Sequence, residues 1–270
     1  MADLESLSDV GIFTRDWAKA KLFYVKKIGL KVRSEDKKFG YIALGATLKG
    51  RDASLNLWQP SPEWGLEQYE IGLRQVGTVT GIGFRTSDLG RTAAALKKRG
   101  VKVEISDEQD EGKLARFTDP DKNELFLEEP AKPKVRKAGV SKLDFVTVVS
   151  RDAKRAGQFF TKALGMRARR VPGQEEFVSY RLSPKGTAIM PFTPTREMYK
   201  DPSNYDADMG HLGEPTSIGF STGKIQGLQE KLMGRGVRFT QKAKLEPYGM
   251  VAKFLDLDDN EYTIIQPIER

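Results

Sequence analysis

Apolar and polar residues along this chain follow two periods, and the periods succeed one another in a fixed order. Positions 10–14 alternate with period two and are rich in strand formers, which predicts a strand. Asp16 follows as a helix N-cap, its carboxylate placed to accept from the free amides of the first turn. Over 17–24, Ala20, Phe23 and Tyr24 share one helical face. Gly29 then supplies the left-handed residue that stops a helix. Strands are predicted at 31–34, 39–44 and 53–58. The order then starts again: strand 81–86, cap at Asp88, helix 89–99 stopped by Gly100, and strands 102–105, 114–118 and 125–128. Each half of the chain reads β-α-β-β-β twice.

The halves repeat each other. Val10 to Asp16 resembles Val146 to Asp152, 136 positions further on, and the same offset joins Phe23 to Phe159, Gly29 to Gly165, Phe84 to Phe220 and Gly100 to Gly236. Towards the end of each half the offset becomes 137: Phe117 to Phe254, Asp119 to Asp256, Asn123 to Asn260 and Pro130 to Pro267. An ordered series with one slip marks a tandem duplication with a single loop insertion. The predicted domains are 1–130 and 141–270, joined by an exposed, Lys/Arg-rich linker at 131–140. One β-α-β-β-β unit cannot cover its own sheet. The expected fold is therefore α+β: four such units forming two curved eight-stranded mixed sheets, helices on the convex faces, concave faces open. The repeat length favours one complete sheet per half.

Composition narrows the chemistry. The 270 residues contain no Cys and a single His, His211. Disulfides, thiolate metal sites and a Cys nucleophile are excluded, and so is any site with two His ligands from one chain. No apolar run is long enough to span a bilayer. The acidic start of the chain lacks the apolar core of an export signal, so a cytoplasmic protein with no membrane partner is expected. The formal charge is +8. The basic residues are scattered, and Lys97 to Arg99 read as a helix end where cations favour the dipole, so no nucleic-acid partner is expected. At long range this charge favours a neutral or anionic ligand over a strongly cationic one.

The repeated segments Val-Gly-Ile-Phe-Thr-Arg-Asp, Ile-Gly-Phe-Arg-Thr-Ser-Asp and Phe-Thr-Asp-Pro-Asp-Lys-Asn-Glu-Leu-Phe-Leu-Glu-Glu-Pro resemble the vicinal oxygen chelate superfamily, which includes glyoxalase I, bleomycin-resistance proteins and extradiol dioxygenases. The second half carries them as Phe-Val-Thr-Val-Val-Ser-Arg-Asp, Ser-Ile-Gly-Phe and Phe-Leu-Asp-Leu-Asp-Asp-Asn-Glu-Tyr-Thr-Ile-Ile-Gln-Pro. The resemblance covers nearly the whole chain and implies a fold, not one reaction. Family enzymes hold a divalent ion with His or Glu on four concave-face strands. Those positions fall here at Asp9 and Phe145, Asn56 and Met190, Gly81 and Ser217, and Phe126 and Thr263. None is His or Glu. The expectation is no metal and no cofactor, since one carboxylate and one amide hold a transition metal poorly.

The leading expectation is a metal-independent small-molecule binding protein of the glyoxalase/bleomycin-resistance type, for a neutral or anionic ligand with a planar or apolar part. Its pocket is placed in the first half, around Asp9, Phe13, Asn56, Trp58, Arg116 and Phe126. Asp9 is the polar anchor, and the aromatics stack. No catalytic residue is assigned. The alternatives are a glyoxalase-like lyase, isomerase or dioxygenase with a weak or non-standard metal site, or with Asp9 alone as a base, and a non-catalytic structural or interaction protein with both cavities filled. A homodimer stays open. His211 reads as a surface group in a Gly- and acid-rich connector. The long connectors with Trp64 and Tyr69, and with Tyr199 and Tyr205, read as lids or packing segments. The stretches 119–123 and 256–260 lack the Gly and terminal Glu of an EF-hand and read as tight turns before the last strand of each half.

Overall fold

The computed structural model describes residues 3–36, 40–106, 112–130, 136–171, 174–199 and 201–268. Phe39, the expected first residue of a strand, and residues 131–135 of the expected linker lie outside the described residues.

All four β-α-β-β-β modules form. The first is β1 (Ser6–Phe13), α1 (Trp17–Leu22), β2 (Lys31–Asp36), β3 (Tyr41–Gly45) and β4 (Ser54–Trp58). A π-helical turn, Phe23–Ile28, continues α1 and ends at Gly29 with φ 96°. After α2 (Leu66–Arg74) the second module is β5 (Val79–Arg85), α3 (Leu89–Lys98), β6 (Val103–Ile105), β7 (Gly112–Thr118) and β8 (Glu124–Pro130). The third is β9 (Lys142–Val149), α4 (Ala153–Lys162), β10 (Arg167–Val171), β11 (Gln174–Arg181) and β12 (Ala188–Phe192). After α5 (Pro202–Gly210) the fourth is β13 (Pro215–Ser221), α6 (Ile225–Met233), β14 (Arg238–Glu246), β15 (Gly249–Leu255) and β16 (Glu261–Pro267). Three helices start on the same device: Asp16, Asp88 and Asp152 accept from the backbone N–H of Lys19, Arg91 and Arg155 at 3.0, 2.9 and 2.9 Å. The fourth start has Lys224 there and no side-chain cap. No helix among the described residues is long and apolar enough to cross a membrane.

The strands form two eight-stranded mixed sheets, ordered β14-β15-β16-β13-β1-β4-β3-β2 and β10-β11-β12-β9-β5-β8-β7-β6. This corrects the expectation of one complete sheet per half: the first module shares a sheet with the fourth, and the second with the third. The segment from Pro130 to Lys142 is short, so β9 turns straight back to pair antiparallel with β5, Ile82 opposite Val146 and Gly83 opposite Phe145. Short connections favour such neighbours. All four modules present similar edges, so the repeat alone does not select the pairing.

By compactness the chain divides into Asp9–Val146, and Met1–Ser8 with Thr147–Arg270. In the first unit, Val10, Ile12, Ile42, Leu44, Leu55 and Leu57 are buried on the helix-bearing face of β1–β4. Ile82, Phe84, Phe117, Leu125 and Leu127 do the same on β5–β8, beneath Leu89, Ala93 and Leu96 of α3. Each such large side chain contributes roughly 1.5–3 kcal/mol by leaving water. In the second unit Phe254 stacks on Tyr262 at 5.3 Å, beside Phe160 and Phe220.

The two predicted tight turns tie the start of each half to its end. Asp119 Oδ1 accepts from the amides of Asp121 and Asn123 at 2.9 and 3.0 Å. Asn123 Nδ2 donates to Phe13 O at the end of β1 at 2.9 Å, and Asn123 Oδ1 accepts from Gly77 N at 2.7 Å. Asp121 accepts from the Thr14 hydroxyl and from Arg15 N. The second half repeats the set with Asp256, Asp258 and Asn260, which reach Val149 O, Gly213 N, Ser150 Oγ and Arg151 N. One partner differs. Asp119 Oδ2 takes the hydroxyl of Tyr24, from the turn after α1, at 3.0 Å. Asp256 Oδ2 takes that of Tyr262, from β16, also at 3.0 Å. The repeat-equivalent residues are Phe160 and Leu125, so each half supplies one hydroxyl to the equivalent carboxylate from a different element.

Burial pushes the Asp119 and Asp256 carboxyls above the ordinary 3.8, against the Asn and Tyr hydrogen bonds that lower them. The folded chain therefore binds these protons more tightly than the unfolded chain. Their contribution is fully present below about pH 3.8 and is lost as pH rises through the folded values. Urea melts between pH 3 and 6 should show this falling component shrink in Asp256→Asn. Tyr24→Phe and Tyr262→Phe should each cost about 1–2 kcal/mol, and Asp119→Ala about 3 kcal/mol because several buried donors lose their acceptor. A Tyr24→Phe variant as stable as the parent would contradict this account of the turn.

Candidate functional site

The face of β1–β4 turned away from the helices carries the expected first-half residues. Period two sets Asp9, Gly11 and Phe13 on the same side of β1, opposite the buried Val10 and Ile12. Register aligns Asp9 with Ser54, Gly11 with Asn56 and Phe13 with Trp58. Across β3, Ala43 lies opposite Asn56 and Tyr41 opposite Trp58. The face is thus built in rows: an aromatic row of Phe13, Trp58 and Tyr41, a middle row of Gly11, Asn56 and Ala43, and a polar row starting at Asp9 and Ser54.

The middle row holds an unusual group. Asn56 is only 4% exposed, and its Oδ1 has no hydrogen-bond partner among the described residues. A buried amide oxygen left unpaired costs roughly 1–3 kcal/mol. Its register neighbours on both sides, Gly11 and Ala43, are small.

The aromatic row is extended by the connector after β4, which is helical where a loop was expected. Ser61 accepts from Glu63 N at 3.3 Å and Pro62 opens a short 3-10 turn, Pro62–Trp64, followed by α2. Pro at a helix start loses no needed donor. The turn sets Trp64 at 6.3 Å from Phe13 and 6.2 Å from Trp58, both edge-to-face, while Tyr41 lies 5.1 Å from Trp58. Gly72 of α2 permits this close approach: a Cβ there would meet Pro60 at 3.0 Å and the Phe13 ring at 3.2 Å. Burial raises the Tyr41 hydroxyl pKa, and the Asp9 charge adds to the rise. Sequence reasoning missed Tyr41 as part of this assembly. Its antiparallel position opposite Trp58 was the available signal.

Arg33 of β2 anchors the far end. Its guanidinium donates to Thr47 O, Asp52 O and Ser54 Oγ and pairs with Asp52 at 2.7 Å. Asp52 Oδ2 also accepts from Leu143 N at 2.9 Å.

Arg116 and Phe126 do not join this constellation. They lie on β7 and β8, opposite one another in register, in the other sheet. Arg116 sits 5.6 Å over the Phe126 ring and pairs with Glu124 at 3.5 Å. The expected six-residue pocket is therefore split, because β4 and β8 belong to different sheets. The face of β5–β8 is differently furnished. The Phe145 ring lies so close over Gly83 that a Cβ there would be 2.1 Å away. The fully buried Asp144 carboxylate is held by Arg85 and, at 2.6 Å, by Lys142.

His211 caps the end of α5, with Nδ1 3.0 Å from Glu214. Nearby, Tyr199 donates to Asp208 at 2.5 Å, and Arg196 lies 4.4 Å over the Tyr205 ring. The second connector is thus also a turn, Arg196–Met198, and a helix. Where the first half has Phe13, Trp58 and Trp64, the second has Val149, Phe192 and Met198.

A divalent ion of the kind used by similar enzymes does not fit this donor set. The expected positions hold Asp9 on β1 and Asn56 on β4, while Gly81 on β5 and Phe126 on β8 lie in the other sheet and carry no ligating side chain. Among the described residues no three His, Asp or Glu side chains gather in a way that could hold a metal.

Comparison with known proteins gives a consistent picture. The family profile described as Glyoxalase/Bleomycin resistance protein/Dioxygenase superfamily matches residues 6–127 and again 142–264. Among solved structures, glyoxalase I from Zea mays superposes with a TM-score of 0.67 at 16% identity, covering 96% of this chain and 92% of that one. A putative dioxygenase from Bacillus subtilis superposes with a TM-score of 0.65 at 14% identity, covering 98% and 86%. At these identities the likeness is one of fold. Comparison with curated proteins found no significant match.

Incubation with zinc, nickel, manganese or iron(II), then desalting and elemental analysis, should leave well under 0.1 ion per chain, as the ligand chemistry requires (on the order of this bound). Occupancy near one ion per chain would overturn the assignment of the donor set.

Proposed function

The chain belongs to the Glyoxalase/Bleomycin resistance protein/Dioxygenase superfamily, and from that premise we propose that it is a metal-independent small-molecule binding protein whose ligand has a planar or apolar part. The ligand lies on the β1–β4 face. The observation that carries this reading is the aromatic assembly of Phe13, Tyr41, Trp58 and Trp64 beside the buried, unpartnered Asn56 Oδ1. Binding sites combine apolar and aromatic walls with a few placed polar groups, and this face has that make-up. Phe13, Trp58 and Trp64 supply π surface for a flat group. Asn56 fixes its orientation, and Asp9 anchors the polar end. The face bearing Arg116 and Phe126 is left out of this assignment, since Phe145 and the Arg85–Asp144–Lys142 cluster occupy it.

A panel of bicyclic and tricyclic aromatic compounds, titrated by calorimetry and by tryptophan fluorescence, tests the reading. At least one should bind at micromolar concentration, and Trp58→Ala and Trp64→Ala should each weaken it about tenfold. Binding that both variants leave unchanged would place the ligand elsewhere.

A further inference from the structure

Resting on the proposed binding role of this face, we infer that its ligand presents a hydrogen-bond donor, as an aromatic amine or organic cation, rather than an anionic group. The unpartnered group in the middle of the face is an acceptor among the described residues. Asn56 Oδ1 is buried, lacks a partner among the described residues, and shares the face with Phe13 and Trp58 by strand period and register. Such an oxygen gains most from a donor, and most of all from a charged one. Next to it on β1, two residues from Gly11, stands the Asp9 carboxylate, close enough to Tyr41 for its charge to be felt at that hydroxyl. The faces of Trp58, Trp64, Tyr41 and Phe13 also attract positive charge.

Among the described residues, the cations on the strands β1–β4 are employed differently. Lys31 and Arg33 lie on the outer strand β2, and the Arg33 guanidinium reaches across to Ser54 Oγ of β4 at 3.3 Å. The Arg33 guanidinium is spent on Asp52, Ser54 and two backbone carbonyls. Lys31 is exposed to solvent. The whole-chain charge of +8 favours a neutral or anionic ligand only at long range. Screening over about 8 Å at physiological salt leaves the contact groups to decide what is bound.

Three matched quinolines test this by calorimetry at pH 7.5: 4-aminoquinoline, 4-methylquinoline and quinoline-4-carboxylate. The amine should bind about tenfold or more tighter than the methyl compound, the worth of one buried charge-assisted hydrogen bond, and the carboxylate should bind weakest. Asn56→Leu should bring the amine-to-methyl ratio close to one. Asp9→Asn, at the more open end of the row, should reduce it in part, and serves if the Leu variant does not fold. Trp58-dependent binding of all three with equal affinity, or a preference for the carboxylate, would overturn the donor inference while leaving the binding role intact. Failure of all three to bind at millimolar concentration would count against both.

Discussion

The structure depends on a carboxylate that is buried and fully employed. Asp119 in the first half, and Asp256 in the second, organises an Asp-x-Asp-x-Asn turn. From that turn one Asn amide reaches the end of the half's first strand and one Asp reaches the start of its first helix. Each half contains two modules with separate apolar layers, and a polar turn joins them where an apolar contact would be less directional. The cost of burying a carboxylate is offset in part by convergent donors, two from the backbone and two from side chains. The exchange of Tyr24 and Leu125 for Phe160 and Tyr262 shows which feature each half retains. The hydroxyl stays on the carboxylate although the strand or helix that delivers it changes.

Once the turn fixes β1 against the second module, the helix-bearing face is committed to the core and the other face is free to diverge. Divergence follows single residues. On the β1–β4 face, Asn56 is flanked by the small Gly11 and Ala43 while Trp58, Tyr41 and Trp64 gather at one end. On the β5–β8 face, Phe145 lies on Gly83 and Asp144 is neutralised by Arg85 and Lys142. The same module therefore yields an aromatic face with an unpaired acceptor in one place and an ion-paired, ring-covered face in another. A buried carboxylate with both cations close by is costly to disturb, which makes the second face a poor place for a ligand to enter.

Much of the fold was legible in the sequence because it rests on short-range signals. Asp16 and Asp88 mark helix starts, Gly29 and Gly100 mark stops, and the offset of the repeated segments gives the duplication. Which module joins which sheet was not legible, since all four present similar edges and the deciding feature is the short path from Pro130 to Lys142. That gap propagated into the site. Arg116 and Phe126 were grouped with Asp9, Phe13, Asn56 and Trp58 because they share a half, and they lie in the other sheet. Tyr41 escaped notice because its partner Trp58 is set by hairpin register. The helices within the two long connectors escaped because their apolar pattern is weak, and their starts are signalled only by Ser61-Pro62 and Asp201-Pro202.

The central claim is that the β1–β4 face, and not the β5–β8 face, receives the ligand. A crystal structure with the tightest-binding aromatic amine decides it directly. The account predicts ring density against Phe13, Trp58 and Trp64, with a donor within about 3 Å of Asn56 Oδ1. Density against Phe126 and Phe145, or a ligand whose polar group turns away from Asn56, would contradict it.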